Sequence, residues 1–170
     1  MCQSSSKNAV RFGQFVNLLP HIKLPYTTTC DGCCGVANIE NAENFSQFIP
    51  DGWEVIGRLT TTDDFTSILF AAGGDYLSPV IATYDSYGVR LSEKGFLEDG
   101  CGEFIDHSIK SHFSITNSMH LVQIDTIVYY QFDTVADRRG NVIKLEVNKS
   151  GFTIGNDGQI VKEWARRRSP

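Results

Sequence analysis

No run of apolar residues in this 170-residue chain approaches the ~18 that a membrane-spanning helix needs. A charged N-terminal region followed by an apolar stretch, the pattern of a secretory leader, is also missing. Positive charge is scarce: 15 Lys and Arg stand against 20 Asp and Glu, for a net charge of −5. Nothing in that balance neutralises a run of phosphates, so no nucleic-acid partner is expected. The exception is Arg166-Arg167-Arg168, which reads as a solvated terminal tail. There is no long helical pattern either, so no βαβ crossover and no parallel sheet are expected. What is present, 41% hydrophobic and 21% charged residues, is ordinary for a globular domain. A chain of this length buries about two thirds of its unfolded surface without staples.

The chain opens Met1-Cys2-Gln3-Ser4-Ser5-Ser6-Lys7-Asn8, the composition of a flexible tether. That predicts residues 1–8 as a tether and 9–170 as a single β-rich domain. Cys2 is a candidate lipid-attachment residue if a leader preceding it is removed. It is incidental, and the protein cytoplasmic, if Met1 is the native start. Next, Phe12, Phe15, Val16 and Leu19 fall at i, i+3, i+4 and i+7, one face of a short amphipathic helix that Pro20 ends. Pro25 forces the preceding residues extended, residues 27–38 read as loop, and residues 39–48 as a second short helix before Pro50-Asp51-Gly52.

From Trp53 the period changes to two. In residues 121–133 the even positions Val122, Ile124, Val128, Tyr130 and Phe132 make one largely apolar face of a half-buried strand. Ile143, Leu145 and Val147 alternate with Lys144 and Glu146 in the same way. Further strands are expected over 54–60, 65–72, 77–84, 89–92, 103–116, 152–155 and 159–165. Turn residues separate them at 62–64, 73–75, 85–88, 139–141, 148–151 and 156–158. The fold class is mainly β: an antiparallel meander, as sandwich or propeller-like sheets, with one or two short N-terminal helices.

Five cysteines are present. Cys30, Cys33, Cys34 and Cys101 are candidates for a disulfide or for a metal. Two thiolates at Cys-x-x-Cys spacing can share a tetrahedral zinc, with Cys101 or His21 completing it, but no second ligand pair is visible. Redox chemistry at this spacing needs the motif to open a helix, and here a Thr/Gly loop holds it. In an oxidising compartment the default is a structural disulfide.

Asp106, His107, Ser108 and His112 are the residue types of a hydrolase triad. On one strand, however, His107 joins the row of Ile109 and Phe113 while His112 joins that of Lys110 and Ser114, so the two histidines cannot converge. Ser108 lacks the Gly-x-Ser-x-Gly elbow. Asp63-Asp64, Glu98-Asp99 and Asp125/Asp133 read as turn or solvated-face carboxylates, and Gly73-Gly74 lacks the ending of a phosphate loop. No catalytic residue, metal or other cofactor is expected. Among the aromatics near strand ends or on polar rows, Trp53, Tyr76, Tyr84 and Tyr87 are the candidate ligand contacts, with Tyr129 and Trp164 similarly placed. Such rings stack on sugars or anchor a protein partner when they do not cap the sheet edges.

Taken together, CQSSSKN, FGQFVNLLPHIKLPY, WEVIGRL, VIATYDSYGVRLS and the terminal Asn/Asp-Gly hairpin resemble small uncharacterised lipoproteins of Bacteroidetes-type bacteria. The shared features are Phe15 to Tyr26, Ile56-Gly57 and Tyr84 to Gly88. The resemblance implies export, a lipid anchor at Cys2 and a β-rich fold; it brings no catalytic residues. The expected function is therefore a non-enzymatic, lipid-anchored binding or scaffolding module of the cell envelope, at the outer membrane or periplasmic face. Its partners are membrane lipid through acylated Cys2 and a protein or glycan ligand. The alternative is an immunity-type protein partner whose acidity steers it to a basic target; the third is a hydrolase with an unrecognised site.

Overall fold

A computed structural model describes residues 2–30, 35–73, 77–97, 101–133 and 138–169. In chain order the elements are helix α1 (Cys2–Leu18), strand β1 (Tyr26–Thr29), a 3-10 helix (Ala42–Phe48), β2 (Trp53–Thr61), β3 (Thr66–Ala72), β4 (Ser78–Tyr84) and β5 (Arg90–Gly95). Then come β6 (Gly102–Glu103), β7 (His107–Ile115), β8 (Leu121–Asp133), β9 (Arg138–Ile154) and β10 (Ile160–Arg168). The protein is mainly β and its sheets are antiparallel, as the period-two segments require. The residues group into two compact units: Met1–Leu24, Cys33–Phe96 and Ile154–Val161 in the first, Pro25–Gly32, Leu97–Thr153 and Lys162–Pro170 in the second.

In the first unit, β2-β3-β4-β5 form a meander in sequence order. Phe12, Phe15, Val16 and Leu19 of α1 are all buried, and they join Phe48, Val55, Ile68, Phe70, Val80, Ala82 and Tyr84 in one core. The periodicity expected of residues 9–20 is what docks here. The helix also runs back to Cys2, through the residues read as a tether. Once the docked turns are formed, each added residue gains a hydrogen bond without a new nucleation cost, so polar residues are carried along. Between the prolines, residues 20–22 lie beside β2, with the Arg58 amide donating to the Pro20 carbonyl and the Ile22 amide to the Arg58 carbonyl, each at 2.9 Å. Gly57 permits that approach, because a Cβ there would strike the Pro20 carbonyl oxygen.

The turns at 62–64 and 85–88 form as their residues dictate. The Asp85 carboxylate accepts the Tyr87 and Val89 amides at 2.8 Å each, and Gly88 takes a φ of +79°. Tyr84 is 3% exposed and its hydroxyl donates to the Phe48 carbonyl at 3.0 Å. Burial pushes its pKa up to about 12, with Arg90 opposing and Glu93 reinforcing the effect. Folding thus favours the neutral phenol. Its contribution is complete below the unfolded value near 10 and disappears as pH rises through about 12, an effect of roughly 2–3 kcal/mol. Urea midpoints at pH 9 and 11.5 should fall less for Tyr84→Phe than for the wild type; parallel declines would assign the alkaline loss to other groups.

In the second unit the strand order is β1-β7-β8-β9-β10, with β6 also paired to β7. Several local expectations give way here. Residues 27–29, expected as the start of a loop, continue the extended chain from Tyr26 and pair with β7 from Tyr26↔Ile115 to Thr29↔His112. Asn148 to Gly151, expected as a turn, stay inside β9 because β8 offers each a partner, from Asp125↔Asn148 to Val122↔Gly151. Arg139-Gly140-Asn141 likewise lie in β9, near register shifts against β8. The three arginines end β10 and are no free tail.

The expected face of β8 is also corrected. Leu121 and Gln123, on the odd row, are buried at the start of the strand, whereas Val122 and, on both rows, Ile124 to Tyr130 are half-buried. In β9, Glu146 is 1% exposed and Ile143 66% exposed, the reverse of the expected order. Alternation defines two rows on a strand, but only packing decides which row faces inward.

A cationic sheet face as candidate functional site

Register across the second unit sorts its charges by strand parity, since paired residues in antiparallel strands share a face. One row runs Lys110, Thr126, Val147; the next runs Thr29, His112, Ile124, Lys149; the next Thr27, Ser114, Val122, Gly151. Beyond them, Arg166 and Arg168 of β10 line a depression of about 100 Å³ with Val147 and Lys149. A second depression of about 240 Å³ is bounded by Thr29, Cys30, Lys110, Ser111, His112, Ile124 and Thr126. Thr29, Lys110, Lys149, Arg166 and Arg168 are exposed, and His112, Ile124, Thr126 and Val147 are half-exposed. Among the described residues, the carboxylate that the register puts on this face is Glu103, opposite Ser108, and Arg139 pairs with it. Lys110, His112, Lys149, Arg166 and Arg168 are thus cationic or protonatable groups on one face with no carboxylate partner among the described residues.

The opposite face takes the acids. Both carboxylate oxygens of Glu146 accept from the Arg167 guanidinium at 2.6 Å, and Lys144 also bonds the carboxylate. Hydrogen bonding to Arg167, then to Lys144, lowers the Glu146 pKa; the same bond raises that of Arg167. Asp125 accepts from the Gln123 amide at 2.9 Å. Strand alternation therefore splits the three arginines, with the middle one going to Glu146 and the outer two to the open face.

One aromatic belongs to the cationic face. The Trp164 indole lies over Gly151, where a Cβ would overlap its ring, and the Arg166 guanidinium carbon sits 5.6 Å from the ring centroid. At 38% exposure the indole is half buried against the sheet and half open to solvent. Glycine at 151, which read as a turn residue, is what lets the indole lie flat.

The other candidates are dispersed. Cys30 and Cys101 form a disulfide with their Cα atoms 5.3 Å apart, which fixes the end of β1 beside β7. Cys33, Cys34 and Tyr76 lie outside the described residues. Cys2 begins α1. Trp53, half-buried, packs its ring 5.4 Å from Phe70, while Tyr84 is buried between Phe12 and Phe70 and offers no surface to a ligand. Tyr87 is exposed on the 85–88 turn.

His107 places Nδ1 2.7 Å from the Asp106 carboxylate and stacks on Phe104 at 4.4 Å. The hydrogen bond from His107 lowers the Asp106 pKa, reinforced by the Asp106 backbone amide. His112 lies on the other face, so the two histidines stay apart as their parity requires. Among the described residues no three His, Cys, Asp or Glu side chains come together in a metal-binding arrangement.

Sequence inspection missed Lys110, His112, Lys149, Arg166 and Arg168 as a group. The legible part was the i, i+2 spacing of Lys110 with His112 and of Arg166 with Arg168; bringing Lys149 between the pairs required the register. Comparison with protein-family models, curated proteins and solved structures finds no match to this chain.

Proposed function

We propose that the protein is a non-enzymatic binding module of the cell envelope, anchored by lipid at Cys2, and that it engages an anionic ligand through the cationic face of β7–β10. The observation that carries the reading is the segregation of charge: on a chain of net charge −5, this face collects Lys110, Lys149, Arg166 and Arg168 without a free carboxylate among the described residues. Like charges held together lose Coulomb energy in the unbound protein and gain it back with an anion, which favours association more than stability. The Arg167–Glu146 pair on the reverse side supports the same reading, because it keeps the neighbouring carboxylate away from the open face.

The test is retention on a sulfonated resin at pH 7 and low salt, where a uniformly acidic protein flows through. The wild type should be retained and released by moderate salt, since exposed charges are screened over about 10 Å at 0.1 M. A variant carrying Lys110→Gln, Lys149→Gln, Arg166→Gln and Arg168→Gln should flow through. Wild-type flow-through would remove the binding reading. The anchor is tested separately: the gene expressed with its upstream codons should yield a diacylglyceryl-sized mass increase that Cys2→Ala abolishes. An unmodified product would place the module elsewhere and restore the immunity-type alternative.

A further inference from the structure

We infer that the ligand of the cationic face is an acidic polysaccharide, a chain bearing uronate or sulfate groups, and that Trp164 is its stacking platform. This rests on the reading of that face as a binding surface and adds the chemical class of the ligand.

Three features of the face fit a sugar chain. The first is the seated indole: one side lies against Gly151, 38% of the residue is exposed, and the Arg166 guanidinium sits over the ring, so a pyranose laying its C–H side on the indole takes the place of that guanidinium and frees it for an acidic group. The second is the spacing of charge. His112 and Lys149 share a row two strands apart, or about 10 Å, and Lys110 stands one row further along at about 7 Å. Those intervals are comparable to the length of a disaccharide, so one chain crossing β7 to β10 brings successive acidic groups to Lys110, Lys149, Arg166 and Arg168 and passes over His112. Arg166, over the indole, and Arg168 present guanidinium forks that bind a carboxylate or sulfate bidentately.

The third feature is the hydroxyl content between the cations. Thr27 and Thr29 are exposed, and Ser114 and Thr126 half-exposed, on the same rows. Side-chain hydroxyls both donate and accept, as sugar hydroxyls do. An anionic bilayer pairs with the cations mainly through its phosphates, which accept hydrogen bonds but do not donate them to these hydroxyls. A nucleic acid is opposed by the net charge of the chain.

The experiment is titration calorimetry of the full chain with sodium polygalacturonate at two salt concentrations. Dextran, phosphatidylglycerol vesicles and single-stranded oligodeoxynucleotide serve as comparison ligands. Expected is binding to polygalacturonate that weakens with salt, and no binding to dextran. Trp164→Ala should lower affinity about tenfold with its salt dependence retained, the scale of losing one anchoring aromatic. Arg166→Gln with Arg168→Gln should reduce affinity and flatten the salt dependence. Gly151→Ala, which unseats the indole, should reproduce the Trp164→Ala loss, and circular dichroism melts establish that each variant is folded.

Polygalacturonate binding that folded Trp164→Ala leaves unchanged would overturn the inference. So would equal or tighter binding to the vesicles or the oligonucleotide, although the cationic face would then stand as a binding surface. Failure to bind any of the anionic ligands would overturn both readings.

Discussion

Phe15→Ala should lower the unfolding free energy by about 3–5 kcal/mol, a large share of the roughly 5–15 kcal/mol that holds an average domain together. The ring is fully buried, with Phe45 and Phe48 centroids at 5.6 and 5.7 Å and Phe12 at 6.3 Å. Truncation removes its transfer free energy. It also opens a space that neighbouring rings cannot fill without leaving their own contacts. Gly88 adds to that rigidity, since a Cβ there would already meet the Phe48 and Phe12 rings. The effect is read as a fall in urea midpoint at unchanged slope. Val10→Ala on the same helix is the control: Val10 is 62% exposed and should change stability by less than about 0.5 kcal/mol. A Phe15→Ala loss below about 1 kcal/mol would mean that α1 does not hold its place in the core.

Removal of the disulfide should have the second largest effect. Cys30 and Cys101 are 71 residues apart in sequence. Opening a loop of that size returns about 4 kcal/mol of entropy to the unfolded chain in the simplest treatment, and measured losses usually fall within about 2–5 kcal/mol. Cys30→Ala with Cys101→Ala should lower the urea midpoint accordingly. Wild type measured with dithiothreitol should then coincide with that double variant, and reductant should leave the variant unchanged. If reductant still shifts the variant, a second bridge contributes; if it shifts neither protein, the Cys30–Cys101 bond is not a stabilising link. The Cys30 amide donates to the Ser111 carbonyl at 3.3 Å, so the bond also steadies Thr29 beside His112. Loss of the disulfide should therefore weaken polygalacturonate binding as well as stability.

The helical face Phe12, Phe15, Val16 and Leu19 was legible because a period near 3.6 can be satisfied by one local conformation and one buried stripe. The strands β2 to β5 were legible for a similar reason, with short apolar runs bounded by turn chemistry such as Asp85 to Gly88. Asn148-Lys149-Ser150-Gly151 reads just as strongly as a turn and is nonetheless strand. Its residues pair with β8 across the sheet, and that ladder outweighs a local preference worth less than its hydrogen bonds. Tyr84 reads as a ligand contact because an aromatic beside a turn has no periodicity to announce its burial.

By itself, the sequence determined the mainly β class, the antiparallel pairing, the first helix and its buried face, and the opposite placement of His107 and His112. Each of these depends on spacing along a few residues. The tertiary structure alone decided that Cys30 joins Cys101, that Glu146 is buried with Arg167, and that Lys110, Lys149, Arg166 and Arg168 share a face with Trp164. Those outcomes depend on register between strands tens of residues apart. A shift of one residue would invert every face, and the sequence of a single strand carries no record of its partner's alignment.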